Sequence, residues 1–102
     1  MRLTVILITR NEQANIADCL KSVAFADEVV VLDHASSDDT VALARRHGAQ
    51  VSSTTDWPGF GPQKNRALAL AQGDWVLSID ADERVTPELR EEIMRIMSRT
   101  PA

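Results

Sequence analysis

Trp75-Val76-Leu77-Ser78-Ile79-Asp80-Ala81-Asp82-Glu83 is an apolar run that ends abruptly in three carboxylates. Bulky or β-branched side chains dominate its first positions and Gly73-Asp74 in front punctuates like a turn, so the stretch predicts a buried parallel strand from Trp75 to Ile79. The acids then sit at the carboxyl end of that strand, which in open α/β sheets faces the ligand crevice. Side chains at i and i+2 of an extended chain point the same way, roughly 6 to 7 Å apart. At an effective dielectric of ~20, two such charges repel by roughly 2 to 3 kcal/mol. A hard divalent cation held by carboxylate oxygens, with substrate phosphates in its other positions, relieves that repulsion. Asp80-Ala81-Asp82 is therefore a candidate metal and phosphate site. Taken alone, an acid-x-acid (DXD) triplet fits a solvated strand-to-helix loop equally well.

The remainder of the chain shifts that balance. Leu3 to Ile8 predicts a first strand, and Asn11-Glu12-Gln13 opens a helix whose Ile16, Cys19, Leu20 and Val23 recur at helical spacing. Glu28-Val29-Val30-Val31-Leu32-Asp33 is a second apolar strand ending in an acid, and Ser36 to Asp39 cap a helix over Thr40 to His47 that Gly48 stops. Gln50 to Ser53 is a weak third strand. Thr54 to Pro62, carrying Trp57-Pro58-Gly59-Phe60-Gly61-Pro62, reads as a loop of turn formers and aromatics, a kind of connection that often carries function. Gln63 to Gln72 predicts a helix with Ala67, Leu70 and Ala71 inward. Thr86-Pro87 starts a last helix with Leu89, Ile93, Ile96 and Met97 on one face and an i,i+4 pair, Glu91 to Arg95, on the wet side. Strands alternating with helices imply a parallel α/β sheet with right-handed crossovers. Three loops then converge at the carboxyl ends of the strands: Thr9 to Glu12, Asp33 to Asp38, and Asp80 to Glu83.

Composition narrows the function. A chain of 102 residues is one small domain, and 11 basic against 15 acidic residues, net charge −4, supply no field for a nucleic-acid backbone. The single Cys19 excludes an intramolecular disulfide and fits a reducing compartment. The apolar run after Met1-Arg2 is short and is followed by Arg10-Asn11-Glu12, so it reads as a strand rather than a signal peptide, and nothing approaches the ~20 apolar residues of a membrane span.

Ile6-Leu7-Ile8-Thr9-Arg10-Asn11-Glu12, Val31-Leu32-Asp33-His34-Ala35-Ser36-Ser37-Asp38-Asp39-Thr40, Lys64-Asn65 to Ala71-Gln72-Gly73-Asp74, and Asp80-Ala81-Asp82 stand in one order and spacing. Together they resemble the nucleotide-binding, amino-terminal half of inverting family 2 glycosyltransferases of the GT-A fold. The resemblance covers residues 1–102 as one nucleotide-sugar-binding half-domain and implies a parallel Rossmann-like sheet of order 3-2-1-4 flanked by helices. Phe25-Ala26-Asp27-Glu28, Asp56-Trp57-Pro58-Gly59-Phe60-Gly61 and Asp82-Glu83-Arg84-Val85 look most like bacterial lipopolysaccharide-core β-1,4-glucosyltransferases. The resemblance implies a nucleotide-sugar site of Thr9, Arg10, Asn11, Glu12, Asp33, His34, Lys64 and Asp80, with Asp80 meeting the ribose and Asp82, beside Asp80, holding Mn²⁺ or Mg²⁺. It implies a UDP-sugar donor, glucose first among sugars, a saccharide or lipid-linked acceptor in lipopolysaccharide or cell-envelope polysaccharide synthesis, and a cytoplasmic location, peripheral at the inner face of the membrane.

Two departures stand out. Where many relatives carry paired acids after the second strand, this chain has Asp33-His34, which touches nucleotide preference. The family's catalytic base, an acid in the carboxyl-terminal half, has no counterpart in these residues, so no catalytic residue is assigned and the 102-residue chain alone is expected to bind nucleotide without turning it over. A non-catalytic signalling or binding domain of the same architecture stays open, as does a sugar nucleotidyltransferase. A phospho-receiver needs carboxylates directly after the first strand, where Thr9-Arg10-Asn11 stand; a nucleotidyltransferase ordinarily shows a glycine-rich basic loop there. Lastly, the Trp75 to Ile79 strand, at a sheet edge in the expected order, is a template for self-association.

Overall fold

A computed structural model of the chain describes residues 2–99. Strands and helices alternate throughout: β1 (Leu3–Thr9), α1 (Ile16–Ser22), β2 (Glu28–His34), α2 (Thr40–Arg46), β3 (Gln50–Thr54), α3 (Phe60–Leu70), β4 (Trp75–Ser78) and α4 (Pro87–Arg99). Every strand pair is parallel and the sheet order is β3-β2-β1-β4, as expected.

Alternation along the central strands divides the core into two layers. Leu3, Val5 and Leu7 of β1 and Val31 of β2 face Ile16, Cys19, Leu20 and Val23 from the α1 region, Ala44 of α2 and Met97 of α4. On the opposite face, Ile6, Val30 and Leu32 meet Ala67 of α3, with Ile8 and Ala71 at the margin. Register sets the crevice. Thr9 pairs with Asp33 and His34 with Thr54, so the loops after β1, β2 and β3 leave the sheet at one level. Ser78 of β4 pairs with Ile6, short of the end of β1, and the chain beyond it turns inside the crevice.

The amino-terminal edge of the sheet is closed by a buried polar cluster. The Thr4 hydroxyl donates to Glu28 Oε1 (2.7 Å), which also accepts the Gln72 N–H (2.9 Å), while Gly73 N–H donates to Thr4 Oγ1 (2.9 Å). These bonds hold the Glu28 carboxyl below the usual carboxylate range. A methyl group on Gly73 would lie 2.6 Å from Thr4 Oγ1, 2.8 Å from Thr4 N and 2.9 Å from the Arg2 carbonyl oxygen, so close approach requires glycine there.

Several local expectations are corrected. The first helix starts at Ile16 rather than at Asn11, because Asn11 adopts φ 52° and cannot continue a right-handed turn. α3 starts at Phe60, three residues before Gln63: Gly59 at φ 111° reverses the chain, and Pro62 falls in the first helical turn, where its missing N–H has no partner to lose. The Trp75 strand ends at Ser78 and is not buried on both faces. Trp75 and Leu77 pack on the core, but Val76 is 39% exposed, because α3 covers β1 and β2 and leaves the outer face of this edge strand bare. On α3, Leu70 points to solvent rather than inward. On α4, Met97 is buried and Ile93 half-buried, whereas Leu89 and Ile96 are each 45% exposed, since only the end of this helix reaches the core. Arg95 pairs with Glu92 at i,i+3 instead of Glu91.

Candidate functional site

The loops after all four strands and the first turns of α3 enclose an open cleft of about 580 Å³. Thr9, Arg10 and Glu12 reach it from the end of β1, His34 from β2, Trp57 from the β3 connection, Phe60 and Lys64 from α3, and Asp80, Ala81 and Asp82 from beyond β4. Of the expected site residues, Thr9, Arg10, Glu12, His34, Lys64, Asp80 and Asp82 line this cleft together. Asn11 and Asp33 do not.

Asp33 is 1% exposed and its oxygens are already engaged. Its Oδ1 accepts from the Thr9 hydroxyl (2.7 Å) and the Ser36 hydroxyl (2.6 Å), and its Oδ2 from the Ser36 N–H (2.9 Å). Ser36 Oγ in turn accepts the Asn11 N–H (2.8 Å), and Asn11 Oδ1 accepts the Ser37 N–H (2.8 Å). One residue further, Glu12 N–H donates to Thr40 Oγ1 (2.8 Å). The set locks the first two loops together behind the cleft. It also holds two non-glycine residues in the left-handed region, Asn11 (φ 52°) and Ala35 (φ 46°), conformations that persist only where their surroundings impose them.

Arg10 Nη1 lies 3.4 Å from His34 Nδ1. In this contact the guanidinium can only donate. The His34 ring stacks on Trp57 (centroids 5.3 Å, interplanar angle 29°), and Trp57 meets Phe60 edge-on (5.0 Å, 88°). Asp56 grips Arg66 of α3 through both oxygens (3.0 and 2.7 Å), which holds its carboxyl below the usual range and anchors the loop bearing Trp57. Buried Gln63 donates to Thr54 Oγ1 (2.9 Å) and ties the same loop to the end of β3. Reasoning from residue types marked this loop as function-bearing but did not assign Trp57 or Phe60 to the site. Two aromatics among glycines and prolines, next to a polar helix start, were the available signal.

At the other end, the Asp80 N–H donates to Glu83 Oε1 (2.8 Å) and the Asp80 carbonyl accepts the Glu83 N–H (2.9 Å), folding residues 80–83 into a tight turn. The buried Cys19 thiol leans on that carbonyl (3.6 Å), and burial pushes its pKa up to about 11, which leaves it an inert packing group. Among the described residues no side-chain hydrogen bond or ion pair occupies the Asp80 or Asp82 carboxylates or Lys64. The lining carries two cations, Arg10 and Lys64, against three carboxylates, Glu12, Asp80 and Asp82. A diphosphate entering alone therefore meets net negative charge, and a divalent cation between it and the aspartates reverses the sign. No group of three or more His, Cys, Asp or Glu side chains is placed to hold a metal among the described residues. Two hard carboxylates thus suit a cation that takes its remaining oxygens from phosphate and water, as Mg²⁺ and Mn²⁺ do.

The chain matches the family model described as Glycosyl transferase family 2 over residues 4–102. It is 44% identical over 98 residues to an uncharacterized glycosyltransferase of Rickettsia felis, covering 95% of this chain and 34% of that protein. It is 32% identical over 100 residues to the lipopolysaccharide core biosynthesis glycosyltransferase LpsC of Rhizobium meliloti, covering 94% of this chain and 37% of the relative. The glucosyl-3-phosphoglycerate synthase of Mycobacterium tuberculosis, solved with Mn²⁺, uridine diphosphate and glucosyl-3-phosphoglycerate, superposes with a TM-score of 0.69 at 35% identity, over 78% of this chain and 33% of that one. The four-stranded sheet with its flanking helices matches GT-A glycosyltransferase structures. The chain spans about a third of the length of the curated relatives it matches.

Proposed function

This chain belongs to glycosyl transferase family 2, and from that premise we propose that its cleft is the donor site for a nucleotide diphosphate sugar and a divalent cation. The observation that carries the reading is the order of chemistry across the sheet. Aromatic rings stand after β3 and β2, a guanidinium after β1, and the acid pair after β4, all opening into one cleft. Three strand spacings, about 14 Å, separate the two ends. A nucleotide sugar carries an aromatic base at one end of its nucleotide and a diphosphate at the other, in the same sequence.

In this reading Asp82 and Asp80 hold Mn²⁺ or Mg²⁺, with Asp80 also beside the ribose. Bound there, the cation supplies Lewis-acid stabilisation to the departing diphosphate. Arg10 and Lys64 contact phosphate oxygens directly as charge-assisted donors, and Thr9 and Glu12 complete the polar floor. Asn11 and Asp33 belong to this donor half by shaping the loops from behind. The acceptor hydroxyl and its base come from the part of the family's length that these 102 residues do not span, so the chain alone binds nucleotide without transferring sugar. Likeness to LpsC supports an acceptor in lipopolysaccharide or another cell-envelope polysaccharide, saccharide or lipid-linked, and the glucosyl synthase supports glucose on a UDP donor. No helix among the described residues is long and apolar enough to cross a membrane, and the reading puts the protein in the cytoplasm, peripheral at the inner membrane face.

Calorimetry with UDP tests this. Binding is expected with Mn²⁺ or Mg²⁺, to weaken at least tenfold in EDTA, and to weaken similarly for Asp82→Asn. Equal affinity with and without metal refutes the reading.

A further inference from the structure

We propose that Trp57 and Phe60 form the base-stacking wall of this cleft, with His34 as the ring that positions Trp57; the inference rests on the donor-site reading above. Trp57 is 42% exposed and Phe60 72% exposed, although both line a cleft that also carries the charged groups of Arg10, Glu12, Lys64, Asp80 and Asp82. Large aromatic faces left open beside charged groups are what a planar, weakly polar ligand covers. The rings are held in place before any ligand arrives. His34, 9% exposed, lies under Trp57 and is itself fixed by Arg10, while the Asp56–Arg66 pair and the Gln63–Thr54 bond fasten both ends of the connection. Their place in the sheet selects the base rather than the sugar. Trp57 follows β3, at the far side of the cleft from the acid pair that follows β4, so a ligand with its diphosphate at Asp80 and Asp82 lays its base, not its hexose, on Trp57. Lys64 lies one helical turn beyond Phe60 on the same face of α3, where it meets the phosphate side of a stacked nucleoside.

The test compares UDP with inorganic pyrophosphate, both in saturating Mn²⁺, by calorimetry on the 102-residue chain. Stacking on an aromatic side chain predicts that Trp57→Ala weakens UDP about 5- to 150-fold. Pyrophosphate, which has no base, keeps its affinity, and Trp57→Phe stays within a few-fold of the parent for both ligands. Equal weakening of UDP and pyrophosphate by Trp57→Ala overturns the inference in favour of a merely structural loop residue. Unchanged UDP binding overturns it as well, and so does a loss seen with UDP-glucose but not with UDP, which moves the wall to the sugar. Failure of the parent chain to bind UDP at all overturns the donor-site reading and this inference together.

Discussion

Replacing Asp33 by alanine separates its structural part from any contact with ligand. Three hydrogen bonds end on this carboxyl, from Thr9 Oγ1, Ser36 Oγ and Ser36 N. At about 1 kcal/mol net each, their loss destabilises the fold by about 3 kcal/mol. The true cost lies above that sum, because the Ser36 N–H is fixed in direction and cannot find a new acceptor by rotating. Ala35 and Asn11 adopt left-handed conformations that cost roughly 1 to 2 kcal/mol per residue, and their partial relaxation offsets that excess. The net expectation is about 3 kcal/mol, and for a domain of this size each kcal/mol lowers Tm by roughly 4 to 8 °C, a fall of roughly 12 to 24 °C. Thermal unfolding followed by circular dichroism, without nucleotide, measures it. Asp33→Asn should fall between parent and Ala variant, since one amide oxygen can still accept the Ser36 N–H. An Asp33→Ala protein that melts with the parent yet no longer binds UDP would refute the argument and return Asp33 to the cleft as a direct ligand contact.

Three further outcomes follow from the packing. Gly73→Ala forces a methyl group onto backbone atoms 2.8 and 2.9 Å away; overpacking of this kind costs about 1 to 3 kcal/mol, and urea unfolding should show a lower midpoint with an unchanged m value. The depressed Glu28 carboxyl contributes stability that is present above its ordinary pKa of 4.5 and is lost as pH falls through its lower folded value. Glu28→Gln keeps the oxygen that accepts from Thr4 and Gln72, so its Tm should fall less steeply below pH 4.5 than the parent's. Finally, β4 forms the sheet edge with Val76 39% exposed on its outer face. Light scattering of the 102-residue chain should detect dimers that Val76→Lys weakens; a strictly monomeric mass at high concentration would show that this edge is not sticky. Ile79→Lys is a poor probe of the same edge, because Ile79 is buried in the core.

Much of the architecture was legible from local pattern. Apolar runs at Leu3, Glu28 and Trp75, each followed by a helical repeat, are nearest-neighbour signals, and parallel alternation forces their carboxyl ends to one side of the sheet. That geometry is why Arg10, Asp80 and Asp82 could be assigned to one crevice from residue order alone, whereas Lys64 and the sheet order rested on the family resemblance. Tertiary structure decided what depends on partners far along the chain. Whether Asp33 faces ligand or protein turns on Thr9, 24 residues earlier, and the need for glycine at position 73 turns on Thr4, 69 residues earlier. The exposed face of Val76 follows from where α3 comes to rest. The aromatic wall follows from the stacking of Trp57 on a histidine that belongs to another loop. Periodicity reports which way a residue faces within its own element, whereas side-chain partners across the sheet are set by register, which only the folded chain possesses.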